Sequence, residues 1–316
     1  MPSGHQTASS EARSPVCIIF NPAARGEKAK RFQQYLATIT SACALKPTSA
    51  PGDGRALAAA AVREGFQTIV AAGGDGTVNE VLNGMGDEPD GFARVRLGVL
   101  PLGTVNVFAK ELDLPANFPA AWKIIQEGRE MTIDLPEVEF SVDGKIQRRF
   151  FAQMAGAGLD SRAVEFVKWE HKKMFGGLAY VIAGLKALRG PMPQITATDG
   201  NVSMTGELVL IGNGRYYGGK FSAFPSADLR DGVLEVSVFP RANWLGILRT
   251  GLGLLTGRLY TVGGVRHFKA ASFHLHSNTP VPFHVEGENI GSLPAKFSVR
   301  RQALRVIVPE YVIRGP

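Results

Sequence analysis

The chemistry this chain could perform is concentrated where carboxylates stand among glycines. The densest stretch is Gly73-Gly74-Asp75-Gly76, followed by Thr77-Val78-Asn79-Glu80. Glycine lets a backbone approach an anion closely, and the free N–H groups of a helix start point at it. The apolar run 68–72 ahead of the glycines reads as a short buried strand. Thr77, with Glu80 three residues on, reads as the N-cap of the helix that follows. A strand, a glycine turn and a helix start together make a phosphate site. Asp75 is the odd member. A carboxylate beside phosphates makes sense if it holds Mg²⁺ or a nucleophile's proton. The plainer alternative is an ordinary βα turn with Asp75 in solvent.

Three other stretches share this character. Arg96–Leu100 is a second apolar strand and runs into Pro101-Leu102-Gly103-Thr104-Val105-Asn106, again a glycine turn with a hydroxyl residue. Two such turns on neighbouring strands could frame one nucleotide cleft. Asp228 and Asp231, three apart in a loop, offer oxygen ligands to a hard cation, with a carbonyl such as that of Val233 completing the set; the plain alternative is an Asp-Gly turn. Glu286-Gly287-Glu288 is a carboxylate pair that reads otherwise as a hairpin turn with two solvated glutamates.

Gly73 to Val81 resembles the signature of the diacylglycerol kinase catalytic-domain family, which takes in bacterial diacylglycerol and related lipid kinases, sphingosine kinases and ceramide kinases. NAD kinases and phosphofructokinases share a shorter Gly-Gly-Asp-Gly core. The resemblance runs from about residue 15 to 309, with motifs in order. It implies ATP and Mg²⁺ as cofactors, and Asn21, Thr48, Gly73, Gly74, Asp75, Gly76, Thr77, Val78, Asn79 and Thr104 as nucleotide contacts. It also implies Asp75 and Asp134 near the catalytic Mg²⁺, Asp134 lying thirty residues after Thr104 as in the family. A structural metal would be held by Asp228, Asp231 and Val233. Glu288 would be the general base. Two positions depart from the family pattern. Val107 stands where the family often has an Asp that joins a metal–water network, which weakens that assignment here, and Glu286 stands where the family has Asp. The implied reaction is ATP-dependent phosphorylation of a lipid hydroxyl, with diacylglycerol as the first expectation. An NAD kinase-like enzyme and a catalytically inactive nucleotide- or lipid-binding regulator are the alternatives.

These motifs need elements to hold them. Strands and helices alternate up to about residue 131, which predicts a parallel sheet with helices on both faces. From Met131 the texture becomes antiparallel β, with a hairpin at Asp143-Gly144. The fold class expected is therefore an N-terminal three-layer α/β domain, NAD kinase/diacylglycerol kinase-like by the resemblance, plus a C-terminal antiparallel β-sandwich domain. The divisions are a disordered tail at 1–14, a nucleotide-binding domain at 15–131 and a lipid-binding domain at 132–302. A last strand at about 303–312 either closes the β domain or returns to the first. Met154 to Ser161 lacks the third glycine and the βαβ unit of a dinucleotide fingerprint, so NAD is rejected on that basis.

The totals bound the setting. A chain of 316 residues favours two domains. Thirty-five Lys+Arg against 28 Asp+Glu suit anionic partners, a nucleotide or anionic headgroups, while the lack of a Lys/Arg run argues against nucleic acid. No apolar run reaches the roughly 18 residues of a membrane span. Helices at 161–190 and 243–258 mix apolar and basic residues that suit either a bilayer surface or a domain core. The expectation is a cytoplasmic protein, peripherally attached to the membrane that carries its lipid substrate, with a homodimer left open. Cys17 and Cys43 are expected as free thiols.

Overall fold

The computed structural model describes residues 16–22, 27–39, 43–159, 161–162, 192–219, 221–241, 246, 249, 252–253 and 264–314. The expected tail at 1–14 and nearly all of the two expected amphipathic helices lie outside the described residues.

The first half contains β1 (Val16–Phe20), α1 (Glu27–Ile39), β2 (Ala44–Pro47), α2 (Asp53–Arg63), β3 (Thr68–Gly73), α3 (Asp75–Gly86), α4 (Gly91–Arg94), β4 (Arg96–Pro101), α5 (Val107–Glu111) and α6 (Phe118–Glu127). Strands β2, β1, β3 and β4 lie side by side and parallel. Their continuous apolar character follows from burial on both faces. Along β1, Cys17 and Ile19 join one core with Ile69, Ala71, Leu97 and Val99. Ile18 and Phe20 join the other with Val70, Ala72 and Leu100.

The second half is built of strands. These are β5 (Arg129–Val142), β6 (Lys145–Phe150), β7 (Met154–Gly158), β8 (Ile195–Thr198), β9 (Ser203–Gly206), β10 (Leu208–Gly212), β11 (Tyr216–Tyr217), β12 (Phe221–Ser222), β13 (Leu234–Phe239), β14 (Arg266–Ala270), β15 (Ser272–Ser277), β16 (Pro282–Val285), β17 (Glu288–Ser292) and β18 (Ala295–Val308). A short α7 (Glu310–Arg314) ends the chain. One antiparallel sheet runs β14-β13-β10-β7-β16-β17. It packs on the sheet containing β5, β18, β15 and β8 through a shared core in which Val209, Val236 and Phe283 meet Val138, Phe273 and Phe297. The rings of Phe273 and Phe297 stack at 5.3 Å. The molecule is thus a mixed α/β unit followed by an antiparallel β unit, as the texture of the sequence implies.

The long strands β5 and β18 join the two parts. They pair along their length, and Val306 of β18 also pairs with Leu97 of β4 in parallel. The last strand stops at Val308 rather than 312. Pro309 follows, lacks an N–H to continue a ladder, and gives way to α7.

One local expectation is corrected. Helix α3 starts two residues before Thr77: Gly74 is its N-cap and no side chain caps it. Glu80 turns away to α2, where its two carboxylate oxygens accept from the N–H groups of Gly52 and Gly54, both at 2.9 Å. Gly54 permits this, since a Cβ there would stand 2.6 Å from Glu80 Oε2. Glu80 therefore serves the open start of α2, with a carboxylate at the positive end of the helix dipole.

Candidate active site

The parallel register decides which residues can meet. Phe20 lies beside both Pro47 and Ala72, and Gly73 beside Pro101. The C-terminal ends of four strands therefore reach one edge of the sheet, where open α/β sheets place ligands. Asn21, Thr48, Gly73 to Asn79 and Thr104 all follow those ends. The amide of Thr48 donates to Phe20 O at 2.8 Å, tying the β2 exit to the β1 exit.

The two glycine turns touch. The amides of Leu102 and Gly103 donate to Gly73 O at 3.0 and 3.2 Å. A Cβ on Gly103 would stand 2.5 Å from Gly74 Cα and 2.7 Å from Asn106 Oδ1. Only glycine fits that seat. We expect Gly103→Ala to force the turns apart, at a cost of about 1–3 kcal/mol. Thermal unfolding checks this, and an unchanged Tm would mean that the turns do not meet in solution.

Not every residue of the signature faces the edge. Val78 is buried in the core and its N–H donates to Gly74 O at 3.1 Å, so it supports the turn from behind. Asn79 Oδ1 accepts from Asn83 Nδ2 at 3.0 Å, and Asn83 in turn exchanges two hydrogen bonds of 2.9 Å with the backbone of Phe150. That pair anchors α3 to β6.

Asp75 sits at the start of α5. Its Oδ1 accepts from the Phe108 amide at 3.3 Å. Burial pushes its carboxyl above the ordinary aspartate value, against the opposing pull of the Phe108, Val107 and Asn106 amides and the Lys110 charge. Val107 is a buried core residue, so at this position the backbone rather than a side chain serves Asp75.

The β16–β17 turn comes to the same place. Glu286 takes a left-handed backbone (φ 52°) next to Gly287, which makes the tight turn. Its Oε1 accepts from the amides of Ala152, Gln153 and Met154 at 2.9, 2.7 and 3.4 Å. Burial pushes its carboxyl up to about 7; the three amides oppose this, and the nearby charge of Asp75 adds to it. Glu288, two residues on, is exposed at the start of β17. Sequence reasoning gave the catalytic role to Glu288 and read Glu286 only as a departure from the family's Asp. The available signal was an acidic residue flanked by Val285 and Gly287, which marks a carboxylate held in a turn behind an apolar strand.

Asp134 is engaged by backbone groups. It is buried, and its two oxygens accept from Gly232 N at 2.6 Å and Gln302 N at 2.7 Å. Its own amide donates to Leu229 O at 2.7 Å. Asp134 thus clasps the Asp228–Gly232 loop. Within that loop, Asp228 Oδ1 accepts from the Arg230 amide at 3.0 Å, and Asp231 Oδ1 from the Val233 amide at 3.1 Å. Among the described residues no group of three or more His, Cys, Asp or Glu side chains could hold a metal ion. At this loop Lys269 Nζ stands 3.6 Å from Asp231 Oδ2, so the protein itself sets a positive charge beside one of the carboxylates expected to hold a metal.

The edge does fit a nucleotide's phosphates. The first turn of α3 has no side-chain cap, and nothing lies within 4 Å of where a Cβ on Gly76 would stand. Asn106 Oδ1 is buried beside Gly103 without a hydrogen-bond partner. Asp75 and Glu286 add the carboxylates that a Mg²⁺ ion accompanying those phosphates would need.

A further polar cluster went unread in the sequence. Buried Glu111, at the end of α5, accepts from Gln153 Nε2 and from Arg215 Nε, both at 2.8 Å. It therefore ties α5 both to the segment that holds Glu286 and to the loop before β11.

Residues 15–138 match the model for the diacylglycerol kinase catalytic domain, and 153–308 that for the YegS C-terminal NAD kinase beta sandwich-like domain. A diacylglycerol kinase of Staphylococcus carnosus is 30% identical over 95% of this chain and 97% of its own length. One of Staphylococcus saprophyticus is 31% identical over 94% and 96%. The chain belongs to the diacylglycerol kinase family. Its fold agrees: the crystal structure of a diacylglycerol kinase from Bacillus anthracis superposes with a TM-score of 0.74 at 24% identity, over 95% of this chain and 98% of that one. The boundary between the two family models falls at the segment 139–152. That segment leads straight into the amides that Glu286 holds. Within the described residues, no helix of this family member is long and apolar enough to cross a membrane.

Proposed function

We propose that this chain is an ATP- and Mg²⁺-dependent lipid kinase that phosphorylates a lipid hydroxyl, with diacylglycerol as acceptor and phosphatidic acid as product. The observation that carries this reading is the meeting of Asp75, at the paired glycine turns, with the Glu286 turn that also bears Glu288. Bound MgATP supplies the phosphoryl group and the metal charge. The chain's own groups do the rest. The uncapped amides of α3 and the Gly103-Thr104 turn orient the phosphates, and Asn21 and Thr48 border them. Asp75 and Glu286 set the charge beside the transferring group. Glu288, exposed at the turn, takes the proton of the lipid hydroxyl as that oxygen bonds to phosphorus and the bond to ADP breaks. No helix among the described residues is long and apolar enough to cross a membrane, which suits an enzyme that meets a bilayer-held acceptor at the surface. The net charge of +7 suits a peripheral, cytoplasmic enzyme drawn to anionic lipid.

The test is transfer of labelled phosphate from ATP to a panel of lipids in mixed micelles, with NAD included as a soluble acceptor. Diacylglycerol is expected to be labelled, and Glu288→Ala to lower kcat by roughly 10²–10⁴-fold. Labelling of NAD alone would replace the reading with a small-molecule kinase. Tight ATP binding without labelling of any acceptor would replace it with a regulator.

A further inference from the structure

The Asp228–Gly232 loop carries an internal positive charge. Strands β13 and β14 pair so that Glu235 lies opposite Lys269. Glu235 is only 1% exposed. Its Oε1 accepts from Ser226 Oγ at 2.8 Å and pairs with Lys269 Nζ at 2.9 Å. Its Oε2 is buried with no hydrogen-bond partner. The same ammonium donates to Ser226 O at 3.1 Å and stands 3.6 Å from Asp231 Oδ2. Two carboxylates and a carbonyl therefore converge on one point. That is an oxygen set a hard divalent cation would take. Here three acceptors face the three donors of an ammonium.

We propose that the Lys269 ammonium is the resident cation of this loop, and that a divalent ion enters only when Lys269 is removed. A buried carboxylate such as Glu235 needs a positive partner close by. Lys269 supplies it from within the chain, 2.9 Å from Glu235 Oε1. A Mg²⁺ ion binds oxygen at about 2.0–2.1 Å and could not share that carboxylate with an ammonium without strong repulsion. With Lys269 on one side and Asp134 on the other, the loop is held from both flanks by groups of the protein itself. Burial works against the charge on Lys269, but its bonds to Glu235 and the charges of Glu235 and Asp231 outweigh that and hold it above the ordinary lysine value. The order of the loop is then independent of divalent ions, and any Mg²⁺ requirement of the protein belongs to the nucleotide edge.

Thermal unfolding of the full chain without nucleotide tests this, in EDTA and in millimolar Mg²⁺ or Ca²⁺. The wild type and Asp231→Asn should show the same response to the divalent ion, because any binding at the nucleotide edge is common to both. Lys269→Ala should unfold at lower temperature in EDTA and gain a rise of roughly 2–4 °C on adding the divalent ion. The gain should vanish in the double variant Lys269→Ala/Asp231→Asn. Two results would overturn the proposal: a rise in the wild type that Asp231→Asn removes, or no gain in Lys269→Ala. The first comparison needs no Lys269 variant, so it decides the matter even if Lys269→Ala fails to fold.

Discussion

Asp75→Asn lowers kcat by roughly 10²–10⁴-fold and leaves Tm unchanged or raised. Asparagine keeps an oxygen for the Phe108 amide, 3.3 Å from Asp75 Oδ1, so the start of α5 stays in place. What is lost is the negative charge at the point where the two glycine turns meet. That charge is costly in the resting protein, since burial already raises the carboxyl above its ordinary value. Removing it relieves the cost while taking away a carboxylate that the proposed function sets beside the nucleotide's metal. The two readouts separate the roles. Phosphate transfer should collapse, and thermal unfolding should not worsen. A variant that keeps more than about a tenth of the activity would remove Asp75 from the mechanism.

Glu286→Gln should flatten the pH dependence of stability. The folded carboxyl stands at about 7 against an ordinary 4.5, so the folded state favours the protonated form. The sign follows from linkage. This contribution to stability is complete below about pH 4.5 and is lost as pH rises through about 7. Glutamine mimics the neutral acid at every pH and still accepts from the Ala152 and Gln153 amides. At pH 8 the variant should therefore exceed the wild type by up to roughly 3 kcal/mol in denaturant titrations, and match it at pH 4.5. An identical pH slope in the two proteins would show that the Glu286 carboxyl is not raised in the folded state. A gain in stability on removing a charged group marks a residue kept for function rather than for folding.

The edge where the strand ends gather, at which the nucleotide is proposed to bind, was legible because its signals are local. Glycine turns, apolar runs and hydroxyl residues reveal themselves over a few positions, and a parallel sheet then brings the strand ends together with no further information. The register Phe20 to Ala72 and Gly73 to Pro101 does that here. The helix start was misplaced for the same local reason. Thr77 and Glu80 have the spacing of a capping box, but Glu80 finds two unsatisfied amides on α2, twenty-eight and twenty-six residues away. No window of a few residues contains that competition.

By itself the sequence determined the class of the fold, the family, and the edge where a phosphate would sit, because period, turn chemistry and motif order are properties of neighbouring residues. The tertiary structure alone decided the partners of the charged groups. The Glu286 carboxyl is held by the amides of Ala152 and Gln153 and feels the charge of Asp75, Asp134 accepts from the amides of Gly232 and Gln302, and Lys269 faces the carboxylate of Asp231. Each of these depends on which strands lie side by side and on how far a side chain is withdrawn from water. Burial sets the strength of a charge and the identity of its partner, and burial exists only once distant segments have packed.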